Sequence, residues 1–535
     1  MANCPLNLID AAWLLVESSE TPMHVGALLP IELPEGAGPE HVRAIIDAFR
    51  ATPQVVAPWN RRLHTPRLKS LVPLWTEVDA IDIDHHIHHS ALPAPGGERE
   101  LGQLIARLHS QPLDLTRPPW EVEIIEGLEG GRIAMYAKVH HSLMDGIAGV
   151  RMLVHAMSAR PEDSLGIAPF WANPPKRARP GKAPASVAQI AAQLMDGARG
   201  QVGSLSNIVR AFGAMAGAVY NKDDVLAIPF DTPMSILNGR IRGPRRFATQ
   251  RLELSRMKEI ARHANSTLND VLLALCGSAL RRFLLELDEL PEKSLTAGIP
   301  ASVRPSDENE QGADAGNAIT FMISTLGTDL DDPLERLNAI RASTRRAKEH
   351  VQSLPRKAMA QYTLLLMAPY MASLLTGVGG RTRPMFNITI SNVPGPEQPL
   401  YFQGAKLQAI YPASLVTHGQ ALNITCNSYD GYLHFGITGC RDSLPHMQRL
   451  APYIGEALVE LEQAIAQPAR AARRKPTAPR KRPPTPAKRK ETATAKRAKG
   501  GTAAKVTKTV KAATRKAASK RSTTTKKAAS RKAAP

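Results

Sequence analysis

Cysteine is scarce in this chain of 535 residues. Cys4, Cys276, Cys426 and Cys440 are the whole complement and no two form a CxxC pair, so neither a disulfide framework nor a zinc site is indicated. The usual anchors of several enzyme classes are also missing. There is no G-x-S-x-G elbow, no G-x-x-x-x-G-K-[ST] loop and no G-x-G-x-x-G turn, which removes the signatures of serine hydrolases, NTPases and dinucleotide-binding dehydrogenases. The first residues, MANCPLNL, lack the basic start of a secretory signal, and a reducing, cytoplasmic location is expected. Residues 358–380 carry no charge, but Gln361, Pro369, Gly377, Gly379 and Gly380 interrupt them. A buried or membrane-surface helix is expected there rather than a membrane span.

Acidic residues are missing from one end. Residues 468–535 hold 24 Lys and Arg against the single acid Glu491, while the rest of the chain holds 44 basic and 47 acidic residues. The formal net charge of +20 therefore describes a polycationic tail on a nearly neutral body. Beyond Val506 and Val510 that tail has almost no large apolar side chain to bury, so it is expected to stay disordered. Anionic lipid headgroups or nucleic acid would be its partner.

What is present is the run His140-His141-Ser142-Leu143-Met144-Asp145-Gly146. Residues 132–139 read as a strand, and period-two alternation puts Ile133, Met135, Ala137, Val139 and His141 on one face. Ile147, Val150, Leu153, Val154 and Met157 then recur at helical spacing, so Asp145 and Gly146 sit where the strand turns into a helix. A sheltered histidine at a strand end is well placed as a general base, its ordinary pKa being about 6.5. Adjacent histidines on a strand point to opposite faces and do not share one metal ion, so no metal is expected. The run of His85, His86, Ile87, His88 and His89 splits in the same way if it is a strand, and no cysteine or carboxylate set completes a cage beyond Asp82 and Asp84.

The surrounding pattern is α/β. Residues 25–33 read as a strand, and helices are marked by Val42, Ile45, Ile46 and Phe49 and by Leu101, Leu104, Ile105 and Leu108. Residues 161–234 turn to Pro, Ala, Gly, Lys and Ser and read as a linker, with a crossover helix over 187–220. Strands over 249–254, 296–303, 317–326, 386–393, 422–426 and 432–438 and helices over 269–287 and 445–466 make up a second half. The expected domains are 1–160, 235–467 after the linker, and the tail 468–535. Asn269 and Asp270 stand at a helix start, where either can act as a cap. A turn at residues 394–396 is expected to expose Ser391 and Asn392.

HHSLMDG resembles the HHxxxDG signature of the CoA-dependent acyltransferase superfamily. Its surroundings resemble the bacterial wax ester synthase/acyl-CoA:diacylglycerol acyltransferase family. Four further stretches agree in order: ETPMHVG at 20–26, PLDLTRPPW at 112–120, Asn269 with Asp270, and SNVPGP at 391–396. The resemblance covers about residues 1–467 and implies two chloramphenicol-acetyltransferase-like domains with the active site in a tunnel at their interface. It implies His141 as catalytic base, His140 as neighbouring support, and Asp145 with Gly146 as structural support of the loop, Asp145 pairing with an arginine for which Arg61 and Arg62 are the candidates and Arg62 is preferred. Asn269 and Asp270 would lie toward the channel, and Trp120, Ser391 and Asn392 would line it. Where the family usually reads Pro-Leu-Trp this chain has Pro118, Pro119 and Trp120, a stiffer loop. The implied donor is a long-chain acyl-CoA, the acceptor a diacylglycerol or fatty alcohol, with no cofactor, at a membrane or lipid-droplet surface. Two other readings remain at this point. A condensation-type amide- or ester-forming enzyme shares HHxxxDG, and a nucleic-acid-associated protein would account for the tail alone.

Overall fold

Two mixed sheets carry the site, and each is built from strands whose alternation separates two faces. In the computed structural model the described residues are 3–6, 8–52, 54–64, 73–144, 146–173, 227–302, 319–353 and 356–473. Asp145, the helix expected over 187–220 and the basic tail beyond Arg473 lie outside them; residues 468–473, expected to be disordered, instead continue the last helix. Residues Met1–Lys475 form one compact unit.

The first half runs β1 (Asn3–Pro5), α1 (Leu8–Val16), β2 (His24–Glu32), α2 (Pro39–Arg50), β3 (Arg61–Leu63), β4 (Leu74–Glu77), α3 (Ile83–His86) and β5 (Ile87–Ala91). It continues through α4 (Glu98–Ser110), β6 (Trp120–Glu126), β7 (Ile133–His140) and α5 (Gly146–His155). The second half holds β8 (Arg245–Glu253), α6 (Leu254–His263), α7 (Leu268–Glu286), β9 (Thr296–Ser302), β10 (Ile319–Thr325), α8 (Pro333–Gln352) and α9 (Arg356–Leu375). After these come β11 (Ile388–Val393), β12 (Tyr401–Phe402), β13 (Ala405–Leu407), β14 (Tyr411–Ala413), β15 (Leu422–Tyr429), β16 (Tyr432–Cys440) and α10 (Leu450–Arg473).

The sheet order β12-β13-β2-β7-β6-β5, with β14 also on β2, shows that the halves are not separate in sequence. Strands from residues 401–413 complete the sheet begun by the first 140 residues. Gly436 of β16 makes room for this crossover, because a Cβ there would lie 1.6 Å from the carbonyl oxygen of Pro412 in β14. A second correction concerns the linker. Phe170 and Trp171 are buried in the core of the first sheet, with Trp171 packed edge-on against Phe49 and stacked near Trp120. The stretch taken as linker thus contributes to the first core up to at least residue 171, and two large aromatics outweigh the polar composition around them.

One face of β7 packs Ile133, Met135, Ala137 and Val139 against α2, α5 and the crossover strands, and the other packs Ala134 and Tyr136 against α4. The second sheet, ordered β10-β9-β11-β15-β16-β8, is more asymmetric. Its apolar face sets Ile388, Ile390, Ile424, Phe435 and Ile437 under α6, α7, α8 and α10. The opposite face is buried and polar, with Asn423, Thr425, Asn427, His434 and Thr438 all shielded from solvent. Buried polar rows of this kind stay in a fold only where hydrogen bonds or a ligand satisfy them. No helix among the described residues is long and apolar enough to cross a membrane.

Candidate active site

The HHSLMDG run occupies the end of β7, a three-residue turn and the start of α5. β7 ends at His140, so His141 opens the turn and lies beyond the alternation that the sequence suggested. His140 is wholly buried. Its backbone N–H donates to the Pro119 carbonyl at 2.9 Å, so the second proline of the Pro-Pro-Trp loop supplies an acceptor to the end of β7. Its Nδ1 accepts from the Ser142 backbone N–H at 3.2 Å and lies 2.6 Å from the Ser142 hydroxyl. With Nδ1 accepting, the ring proton sits on Nε2, which faces the Glu17 carboxylate at 3.3 Å.

Glu17 was not legible in the sequence. It follows α1 by one residue, its side chain is 7% exposed, and the same Oε1 accepts from the Met23 backbone N–H at 3.3 Å. Met23 in turn accepts from the His141 backbone N–H at 2.8 Å. The loop joining α1 to β2 therefore holds both histidines. His141 is half-buried, and its ring lies 4.5 Å from that of Trp13 of α1 at a tilt of 36°.

Behind His140 lies a layer of buried polar side chains. The Lys138 ammonium donates to the carbonyls of Leu108 and Gln111 and pairs with Glu121 at 3.0 Å. His109 donates through Nε2 to the Ser414 carbonyl at 3.0 Å, leaving Nδ1 to accept from the Tyr136 hydroxyl at 2.7 Å. Burial pushes the His109 imidazole down to about 3 and holds His24, which faces His140 across the β2–β7 ladder, well below its ordinary range. Burial thus disfavours the charged form of both imidazoles, and His109 ties Tyr136 of β7 to Ser414 of the second half.

Against β7 lies a cavity partly open to solvent. Ala137 and Val139 line it together with Trp59, Trp120 and Phe170 at one side and Gly146, Gly149, Val150 and Leu153 of α5 at another. The second half contributes Val393, Pro412, Ala413, Ser414 and Thr425. The wall is almost wholly apolar, its polar points being Lys138, Ser414 and Thr425. His141, one residue beyond the end of β7, is not itself among the cavity-lining residues; Gly146 of the same run is.

The remaining candidates separate. Trp120 is fully buried, stacks on His86 at 4.3 Å and donates its indole N–H to the Trp59 carbonyl at 2.8 Å. Ser391 and Asn392 are half-buried within β11, in register with Thr425 and Cys426 of β15, because strand pairing runs on to Val393 before the turn begins. The expectation that the turn exposes them is thereby corrected, and Ser391 falls on the polar sheet face beside Thr425. Thr267, not Asn269 or Asp270, caps α7. Asp270 is the third residue of a capping box, its Oδ2 accepting from the Thr267 N–H and hydroxyl at 2.8 Å and its Oδ1 from the Thr344 hydroxyl at 2.6 Å. Neither Asn269 nor Asp270 is among the cavity-lining residues. Asp270→Ala is expected to lower stability by about 1–2 kcal/mol, read by thermal melting, with turnover of the folded protein kept. A loss of turnover at unchanged melting temperature would instead give Asp270 a part in the channel.

The histidine run at 85–89 is not one strand. Its first two residues close α3 and the rest open β5. His86 is buried, held near 4 chiefly by burial, and its Nδ1 is 2.7 Å from the Trp120 carbonyl, while His89 lies 3.4 Å from Glu126. Among the described residues no three His, Cys, Asp or Glu side chains gather closely enough to hold a metal ion. Arg61 pairs with Glu77 at 3.0 Å and Arg62 is exposed; the pairing expected between Arg62 and Asp145 lies outside the described residues.

Two α/β halves meeting at a cavity beside an HHxxxDG loop define the class. The first condensation domain of the calcium-dependent antibiotic synthetase has this fold, with a TM-score of 0.53, 14% identity, and coverage of 88% of this chain and 97% of that domain. Residues 6–272 match the wax ester synthase/diacylglycerol acyltransferase catalytic domain and residues 315–462 the WS/DGAT C-terminal domain. The O-acyltransferase WSD of Acinetobacter baylyi is 37% identical over 464 residues, spanning 86% of this chain and 98% of its own. A Mycobacterium tuberculosis protein carrying the name diacyglycerol O-acyltransferase is 45% identical over 488 residues, 85% of this chain and 96% of its own. The solved wax ester synthase/diacylglycerol acyltransferase from Marinobacter aquaeolei VT8 is 35% identical with a TM-score of 0.69, covering 86% of this chain and 100% of that one. The chain belongs to the wax ester synthase/diacylglycerol acyltransferase family.

Proposed function

We propose that this enzyme transfers a long-chain acyl group from acyl-CoA to diacylglycerol or a long-chain fatty alcohol, with His141 as general base. The observation that carries the reading is the apolar cavity lined by Ala137 and Val139 of β7 and by Gly146 of the HHSLMDG run. Its almost wholly apolar lining suits an acyl chain. An alcohol is too weak an acid to ionise alone near neutral pH, so His141 takes its proton as the C–O bond forms. The proton then passes to the departing CoA thiolate, and neither a covalent enzyme intermediate nor a bound cofactor is needed. The oxyanion would be met by Asn269 or by backbone N–H groups near Gly146. His140 and Asp145 support the loop, Asp145 through an arginine such as Arg62. Trp120, Ser391 and Asn392 belong to the channel and its approach.

Insoluble acceptors favour action at the surface of a membrane or lipid inclusion, and the cytoplasm is assigned as the compartment on the scarcity of cysteine. The basic tail, which beyond Arg473 lies outside the described residues, is assigned to anionic headgroups in preference to nucleic acid. The test is purified protein with palmitoyl-CoA and a panel of alcohols, diacylglycerols and amines, following thiol release and lipid product. Ester formation from alcohols or diacylglycerol is expected. Amide as the main product would move the enzyme to the condensation type, and absence of thiol release with every acceptor would remove the acyltransfer reading.

A further inference from the structure

The described surface exposes eight large apolar side chains, and four of them gather in one region: Leu375 at 54%, Met234 at 48%, Val378 at 41% and Phe230 at 39%. Three sets of contacts bring their segments together. The Arg240 guanidinium donates to the Gly377 carbonyl at 2.9 Å, and a Cβ on Gly380 would lie 2.7 Å from the Arg240 backbone nitrogen, so the loop leaving α9 packs on residues 239–240. Asn387 donates to the carbonyl of Pro233 at 2.8 Å, which sets Met234 beside the strand that follows that loop. Phe230 donates its backbone N–H to Met385 at 3.2 Å, two residues beyond Arg383.

The same loop presents Arg381 and Arg383, both exposed and without a carboxylate partner among the described residues. The acids nearest in the fold are already engaged, Glu20 by Arg240 and His418 at 3.5 Å and Asp231 by Lys293 at 2.7 Å. Apolar side chains flanked by unpaired guanidinium groups form the composition that partitions into a headgroup layer, apolar groups entering the acyl boundary and cations meeting phosphate. Neither half of the patch suits water alone or a purely polar protein partner.

We propose that this patch, formed by the C-terminal end of α9, its following loop and the segment 230–234, is the surface by which the folded body docks on an anionic lipid layer. The inference rests on the acyltransfer reading for its purpose. Glu20, which grips Arg240, lies three residues before Met23, whose carbonyl holds the His141 backbone. The patch is thus tied, through Arg240 and Glu20, to the loop that holds His141.

The test compares full-length protein with Leu375→Ser/Val378→Ser and with Arg381→Ser/Arg383→Ser, by co-sedimentation with phosphatidylcholine vesicles containing phosphatidylglycerol. At about 0.5 M salt, where the Debye length is only a few ångströms, attraction through the tail is screened and binding by the apolar patch persists. The Leu/Val variant is expected to lose more than about tenfold of that salt-resistant partition. The Arg variant is expected to lose about tenfold or more at physiological salt. Both should turn over detergent-dispersed fatty alcohol as the unaltered protein does, with unchanged melting temperature. Val378→Trp supplies a reading that survives any folding defect of the serine variants: its added fluorescence should shift to the blue on vesicles. Unchanged partition of the folded Leu/Val variant, or no shift from Val378→Trp, overturns the proposal. So does an Arg variant whose KM for acyl-CoA rises while its partition is unchanged, because the cations then read CoA phosphates. Absence of turnover in the unaltered protein falls on the proposed reaction, and the vesicle measurements still decide the surface.

Discussion

His141→Ala is expected to lower the rate of thiol release by roughly 10²–10⁴-fold, the usual contribution of a positioned general base. The fold should survive. His141 is half-buried in the turn after β7, and its side chain packs on Trp13 at the surface of α1 instead of filling the centre of either core. The backbone N–H that binds Met23 is retained by alanine, so the loop keeps its main-chain tether. His140→Ala is the contrasting case, since it empties a site with no solvent exposure and leaves Glu17 and Ser142 facing a void. The two variants separate chemistry from architecture. His141→Ala loses kcat at unchanged melting temperature, whereas His140→Ala loses stability together with rate. A soluble, folded His141→Ala that keeps more than about a tenth of the activity takes the base assignment away from this residue.

The parts of this fold legible in the sequence are those with strong local periodicity. The strand pattern of residues 132–139 appears as β7, the apolar spacing over 269–287 as α7, and the alternation of residues 25–33 as β2, each with ends shifted by a residue or so. The HHxxxDG run was legible for a different reason, a fixed spacing of chemically unusual residues. What periodicity does not carry is pairing between distant segments. Nothing local in residues 401–413 says that they join the first sheet; the register of Leu407 with Ile31 and of Tyr411 with Leu28 is a tertiary fact. Trp171 was misplaced because its neighbours have linker composition while its own burial comes from Phe49 and Trp120. Asp270 reads equally as a channel residue or a cap until the partners Thr267 and Thr344 are seen.

The same reason hid Glu17, which leads to the second large expected effect. A carboxylate three residues before a recognised motif carries no signal in sequence, yet its position fixes the catalytic turn twice, through the His140 ring and through the Met23 main chain. Glu17→Gln keeps the size of the side chain and an oxygen for the Met23 N–H but removes the charge facing His140 Nε2. It is expected to lower kcat by about 10–100-fold with KM for acyl-CoA little changed, corresponding to roughly 1.4–2.7 kcal/mol in the barrier. Glu17→Ala removes both contacts and is expected to cost a further 1–3 kcal/mol of stability, roughly the penalty of leaving buried polar groups unpaired. A positioning role differs here from a merely structural one. If Glu17 only braced the fold, the glutamine variant would melt lower and keep its kcat; if it orients the histidine pair, kcat falls at unchanged melting temperature and the pH profile of turnover moves with it. Kinetics of both variants within about threefold of the unaltered enzyme, a difference under roughly 0.7 kcal/mol, would leave the loop held by Ser142, Pro119 and the β2–β7 ladder alone.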